Sequence, residues 1–311
     1  VLRLAATGAL AAGTVAGGVL LADRKVTERR PLIKVRDHRV TREAGMTGLA
    51  VARGPSPAEN ARRAVEALGG MAAFVRPGER VVIKPNAGWN RTEEQAANTN
   101  PDVVGQLVRM ARAAGASKVW VTDVPVNVAE RCFERSGLTR AVGEAGGTLV
   151  LPGPSDFRLA EVGGRVLRVA EVVWPLLEAD RVINVPVVKH HSLTGATMCL
   201  KNWFGVIGGH RVRLHQDIHR AVVDLAGMVR PTLTVMDATR VMVANGPSGG
   251  SLDDVKRVDT VVAGVDEVAM DAYGASFLGL APADVGSVAE GERAGLGTSR
   301  WQSLKVQEIS G

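Results

Sequence analysis

The sequence predicts an α/β fold: a largely parallel sheet with helices on both faces, plus a β-hairpin insertion. Three observations carry this. Short β-branched runs recur along the body, and capped amphipathic segments separate them, which is the pattern of parallel strands joined by crossover helices. One stretch breaks the alternation with a paired glycine turn.

Gly48–Arg53 reads as a strand. Ser56 then opens a helix as its cap, with Pro57 in the first turn and Glu59 completing a capping box. Val81–Ile83 is a buried strand, Asn100 caps a helix over 101–114, and Lys118–Thr122 is the next strand. In Phe157–Val169, Gly163-Gly164 lies between two alternating segments and predicts the hairpin. Arg181–Val185, Leu233–Met236 and Val258–Ala263 resume the strand pattern, with a helix expected from Leu214 to about Val229.

Composition narrows the function. With 311 residues and 46% apolar content the chain has ample core. Two cysteines, Cys132 and Cys199, cannot hold a four-cysteine iron–sulfur cluster or zinc site, and both read as buried free thiols. One Tyr, five Phe and five Trp argue against an aromatic nucleic-acid platform. The net charge of +6 comes mostly from Asp23–Arg42, where eight lysines and arginines face three carboxylates, so no nucleic-acid partner is expected.

Ahead of that stretch, Leu4–Ala22 carries no charge and is rich in Ala and Gly. Its length approaches the ~20 residues of a bilayer-crossing helix, but its weak hydrophobicity fits the apolar part of a twin-arginine export signal. The chain begins at Val1, so the arginine pair is expected upstream. Residues 1–22 are thus expected as a truncated signal or membrane anchor of an exported protein, periplasmic or anchored facing outside the cytoplasm. Residues 23–45 follow as a basic linker and 46–311 as the α/β body, in one lobe or two.

In open parallel sheets ligands gather at the carboxyl ends of strands. Here those ends carry Lys84 and Asn86, Asp123, Lys189 with His190 and His191, and Asp237. Any one of them also reads as a cap or turn residue; together they point to a site. Lys84, Lys189 and Lys201 each lie in an apolar, Gly/Pro/Asn-punctuated stretch, where a lysine is costly to bury unless its charge is used. With Arg211 and Arg213 nearby they suit a carboxylate or phosphate, and Gly205, Gly208 and Gly209 would let backbone approach it. Five of six histidines fall between His190 and His219, and His215 and His219, at i and i+4 on the expected helix, could share a metal. P-loop, GxGxxG and GxSxG motifs are absent.

The series VVIKPN, TNP, KVWVTD, CFERSGL, INVPVVKHH, LTGATMCLKN, WFGVIG, RPTLTVMDA, NGPSGG and DEVAMDA resembles the DUF362 family over about residues 48–296. Many members of that family carry a twin-arginine leader. Some carry a ferredoxin-like cysteine-rich module, but this chain lacks those cysteines, so no iron–sulfur cluster is expected. The lysine- and histidine-bearing centre is also distantly similar to the nickel-dependent lactate racemase family, which tethers its nickel-pincer cofactor to a lysine. The DUF362 resemblance implies a site of Lys84, Asn86, Asp123, Lys189, His191, Lys201 and Asn202, with Asp224, Asp237 and Asp271 as further members.

The expected function is binding of a small anionic substrate or cofactor, with or without a metal. Lys189 and Lys201 would neutralise the anion, and His191 would be a general base or metal ligand. Asp237 or Asp123 would orient a proton-transfer partner, and Lys84, Asn86, Asp123 and Asn202 would hold a cofactor. The alternative is a non-catalytic cofactor or metal carrier for an exported redox enzyme, built on the same pocket.

Overall fold

The computed structural model describes residues 32–43, 45–209 and 211–311; the expected leader, residues 1–22, lies outside them. In chain order the body comprises β1 (Ile33–Lys34), β2 (Leu49–Arg53), α1 (Pro57–Ala67), β3 (Arg80–Pro85), α2 (Pro101–Ala113) and β4 (Lys118–Thr122). Next come α3 (Ala129–Arg135), α4 (Leu138–Glu144), β5 (Thr148–Val150), β6 (Phe157–Glu161), β7 (Val169–Val173), α5 (Trp174–Glu178), β8 (Arg181–Val185) and β9 (Val187–His191). The rest is β10 (Gly195–Thr197), α6 (Cys199–Asn202), α7 (Ile218–Val229), β11 (Leu233–Met242), β12 (Val255–Gly264), α8 (Glu267–Gly274), α9 (Gly286–Arg293) and β13 (Val306–Ser310). No helix among the described residues is long and apolar enough to cross a membrane.

The main sheet runs β13-β2-β12-β11-β8-β3-β4-β5, and β11, β8, β3, β4 and β5 are mutually parallel. Helices cover both faces because alternate strand residues point opposite ways. Val82, Trp120, Val182 and Met236 join one core with α7 and α8, while Val81, Ile83, Val121 and Val235 join the other with α1, α2 and α4. Ser56 caps α1 by accepting from Glu59 N, and Asn100 caps α2 by accepting from Asp102 N. β12 departs from the parallel pattern and runs antiparallel to both β11 and β2. Only a short 3-10 turn interrupts the link from Met242 to Val255, and without a crossover helix the chain must return antiparallel.

β6 and β7 form the hairpin, paired from Phe157↔Val173 to Glu161↔Val169. Its turn is held by Asp224 of α7, whose carboxylate accepts from the backbone N–H groups of Arg165, Val166 and Leu167. Asp224 therefore serves the hairpin turn, away from the strand ends where most of the other expected residues lie. β1 extends this small sheet by pairing parallel to β6.

The expected basic linker differs from what its described part shows. Val35 is buried, Arg36 pairs with Asp180 at 2.8 Å, His38 N donates to Arg230 O, and Arg42 donates to Leu68 O. Apolar residues alternate with the arginines and seat this stretch on the body, so the compact unit begins at Ile33. Cys132 and Cys199 are both free and buried, and burial pushes both thiols up.

A Cβ at Gly164 would lie 2.1 Å from Asp224 Cγ. Gly164→Ala should therefore break the turn, and Asp224→Ala should cost about 1–3 kcal/mol through three orphaned amides. Denaturant unfolding measures both. Stability equal to the parent in the two variants would contradict this role for Asp224.

Candidate functional site

β3 and β4 are neighbours, and each ends in a polar residue: Lys84 on β3 and Asp123 just beyond β4. The Lys84 ammonium lies 2.7 Å from Asp123 Oδ1, with the two side chains only 1% and 3% exposed. Lys84 Nζ also donates to Pro85 O at 2.8 Å and Asn202 Oδ1 at 3.0 Å, while Asp123 Oδ2 accepts from Ala87 N. Burial lowers the Lys84 pKa, and the Asp123 charge opposes that shift.

Asn202, at the end of α6, joins this pair to its surroundings. Its Oδ1 also accepts from Asn86 Nδ2, and its Nδ2 donates to Lys84 O and Asn184 Oδ1. Asn86 in turn accepts from Lys189 Nζ at 3.0 Å, and Lys189 donates as well to Ala97 O. The TNP motif braces the same edge. Thr99 Oγ1 accepts from Asn86 N and donates to Val185 O.

These groups line a cavity of about 400 Å³. Eight of the twelve residues expected at the site are in its wall: Lys84, Asn86, Asp123, Lys189, His191, Lys201, Asn202 and His215. Pro186 ends β8 and the chain restarts as β9, so Lys189 and His191, two apart on a strand, share a face. His190 points the other way, and its Nδ1 accepts from Gly246 N.

Burial depresses the Lys189 pKa to about 7, helped by the charges of Lys201 and Lys84 and opposed by Asp123. Lys201 is lowered to about 8 by burial and by Arg211, and its ammonium sits 5.3 Å from the Phe204 ring centroid. Burial and the surrounding cations bring His191 down to about 3, so its ring is neutral at ordinary pH. Its Nδ1 accepts from Leu193 N, which assigns the ring proton to Nε2. His191 thus lines the cavity as a neutral ring with an Nε2–H, and of the two roles expected for it, general base or metal ligand, the lowered pKa disfavours the first.

Four expected residues lie outside the wall: Asp224 at the hairpin turn, Asp271 beneath α6, Asp237 and His219. Asp237 is buried and outside the cavity wall. Its Oδ2 accepts from Asn100 N and its Oδ1 from Thr239 N and Oγ1, so it fixes the start of α2 against β11. His219 is also outside the wall, packed against Gly286 at the start of α9. The expected helix begins only at Ile218, because residues Arg211–Asp217 wind as a 3-10 segment and Asp217 is non-helical. His215 and His219 thus lack the i, i+4 relation of a shared helix; His215 stacks on Phe204 instead. Among the described residues no three His, Cys, Asp or Glu side chains gather as a metal site.

The glycines serve the protein itself. A Cβ on Gly205 would lie 1.9 Å from Asp123 Oδ1 and 2.6 Å from Lys84 Nζ, and one on Gly208 would meet the Phe157 ring at 2.9 Å. Arg211 lines the cavity and Arg213 does not; Arg211 donates to the carbonyls of Val124, Phe204 and Pro125.

Asp271, expected as a further member of the site, supports α6 from beneath instead, together with Glu267, which the sequence reading missed. Asp271 accepts from Cys199 N at 2.7 Å and Leu200 N at 3.2 Å, holding the first turn of the helix that carries Lys201 and Asn202. Glu267, one turn earlier on α8, accepts from Asn184 Nδ2, Thr234 Oγ1 and Trp203 Nε1. The available signal was an Asn inside the strand RVINV and two acids four apart in an apolar helix. Thr197 was missed too: its hydroxyl is buried, lies in the wall, and has no hydrogen-bond partner among the described residues.

Residues 81–276 match the family described as "Domain of unknown function (DUF362)". A thylakoid-associated protein of Synechocystis sp. is 31% identical over 250 residues, covering 76% of this chain and 74% of the relative. Two solved structures are similar at 13% identity. They are the lactate racemase apoprotein from Thermoanaerobacterium thermosaccharolyticum, with a TM-score of 0.41 over 80% of this chain, and a Thermotoga maritima protein, with 0.42 over 78%. The chain spans about 60% of the length of each.

Gly205→Ala should separate Lys84 from Asp123 and cost about 3–5 kcal/mol, the range for breaking a buried pair. Gly88→Ala is the control, since its Cβ would meet nothing closer than 3.9 Å. Equal denaturation midpoints for the two variants would refute the tight fit. A second expectation concerns pH. Burial raises Glu267 and Asp271 to about 7, so each binds its proton more tightly in the folded state. Their stabilisation is full below about pH 4 and is lost as pH rises to about 7. Asp271→Asn should reduce that slope, read from denaturant unfolding at several pH values; an unaltered slope would refute the assignment.

Proposed function

The chain belongs to the DUF362 family, a domain of unknown function, and we propose that it binds a small organic anion, a carboxylate or phosphate, in the cavity at the carboxyl ends of β3 and β4. One observation carries this reading: Lys84, Lys189, Lys201 and Arg211 line the cavity, and Asp123 is the only carboxylate in its wall among the described residues. Asp123 is already paired with Lys84. Burial first, and the neighbouring cations second, lower the pKa values of Lys189 and Lys201, and an anion among them would relieve the repulsive part.

Lys201 and Arg211 would take the acid group directly, with Lys189 beneath it. The His191 Nε2–H and the unpartnered Thr197 hydroxyl supply neutral donors. This arrangement favours capture over turnover. Lys84 and Lys189 are held by hydrogen bonds, and His191 is a poor base.

Calorimetric titration with acetate and with inorganic phosphate tests the reading. Lys201→Gln and Arg211→Gln should each weaken binding about 10- to 100-fold, the worth of a charge-assisted hydrogen bond. Acetate, whose own charge is constant over this range, should also bind more weakly as pH rises through about 7 and then about 8, where Lys189 and Lys201 lose their charge. Unchanged affinity in both variants, or acetate binding that strengthens with pH over that range, would overturn it.

A further inference from the structure

The cavity changes character from floor to mouth. At the floor Lys84 and Lys189 are no more than 1% exposed. Trp89, Phe204 and Pro247 form part of the wall above them. At the mouth stand Val126, Leu193 and Val212, which are 61%, 53% and 75% exposed. They come from three separate segments: the chain after β4, the turn between β9 and β10, and the 3-10 segment 211–217. Single exposed apolar residues need no explanation, but three that converge on one opening form an apolar patch of the kind that marks a binding site.

Resting on the anion-binding reading above, we propose that the ligand is amphipathic: an acid head group seated on the buried cations, joined to an apolar body that runs out past Trp89 and Phe204 to the valine–leucine rim. Volume agrees. A carboxylate has three heavy atoms and occupies a small part of about 400 Å³, so the cavity is sized for a larger molecule. The depth of the cations also matters. A flat protein or lipid surface laid over the mouth would cover the rim but not reach Lys189, whereas a single-tailed acid satisfies both ends at once. The tail would make its contacts with Val126, Leu193 and Val212 by excluding water, and the head would remain in the donor-lined floor.

A homologous series separates the two claims. Straight-chain alkanoates from acetate to dodecanoate, kept below their micelle concentrations, are titrated into the protein at about pH 7. Affinity should rise about fourfold with each methylene until the tail clears the rim, following the gain per buried methylene. Val212→Asn and Leu193→Asn should each lower the ratio of dodecanoate to acetate affinity severalfold, and dodecyltrimethylammonium should not compete. Acetate binding with no dependence on chain length would overturn the amphipathic ligand while leaving anion binding intact. Equal binding of the cationic amphiphile would also overturn it. Failure of every acid, acetate and dodecanoate alike, would instead sink the underlying anion-binding reading and this proposal with it.

Discussion

The buried contact between Lys84 and Asp123 is the constraint on which the site rests. Bringing two ions out of water costs several kcal/mol each, and their attraction repays this only when the remaining hydrogen bonds are also made. Here they are. Lys84 has two further acceptors and Asp123 accepts a backbone amide. The pair can form because parallel neighbours end at one edge, placing a residue of β3 beside one that follows β4. Gly205 is required so that a third segment can close over it, and Val124 N donates to Gly205 O to hold that segment in place.

From this pair, order spreads through amides rather than charges. Asn202 receives protons from Lys84 and Asn86 and donates to a backbone carbonyl and to Asn184. Asn184 passes the chain on to Glu267, beneath α6. A four-residue helix has little stability of its own, since nearly all its backbone donors and acceptors are terminal ones. Asp271 takes two of those donors. The positions of Lys201 and Asn202 thus depend on acids buried on α8, which face away from the cavity and never line it.

The electrostatic consequence is a division among the three lysines. Lys84 is paired with a carboxylate. Lys189 is buried on neutral acceptors, which hold its ammonium group without neutralising it. Lys201 faces the cavity beside Arg211 and over an aromatic ring. The charge that remains uncompensated therefore lies where a ligand can reach it, and the apolar residues of the mouth set the boundary between that charge and solvent.

Much of this was readable from the sequence. Alternating apolar runs and helix caps determined the parallel core, and the glycine pair located the hairpin. Lysines embedded in apolar stretches identified much of the polar part of the cavity wall, because strand polarity brings the ends that carry Lys84 and Lys189 to one edge. What only the tertiary structure decided depends on contacts distant in sequence. The periodicity of residues 214–229 suggested one helix, but the 3-10 segment before Ile218 parts His215 from His219. Asp237 and Asp224 looked like the other polar residues at their positions until their oxygens were found on backbone amides of α2 and of the hairpin turn. Glu267 and Asp271 read as an ordinary helical acid pair, and only their burial against α6 makes them supports of the site. A sequence records which groups are present and how they alternate; which amide faces which carboxylate is settled when distant segments pack.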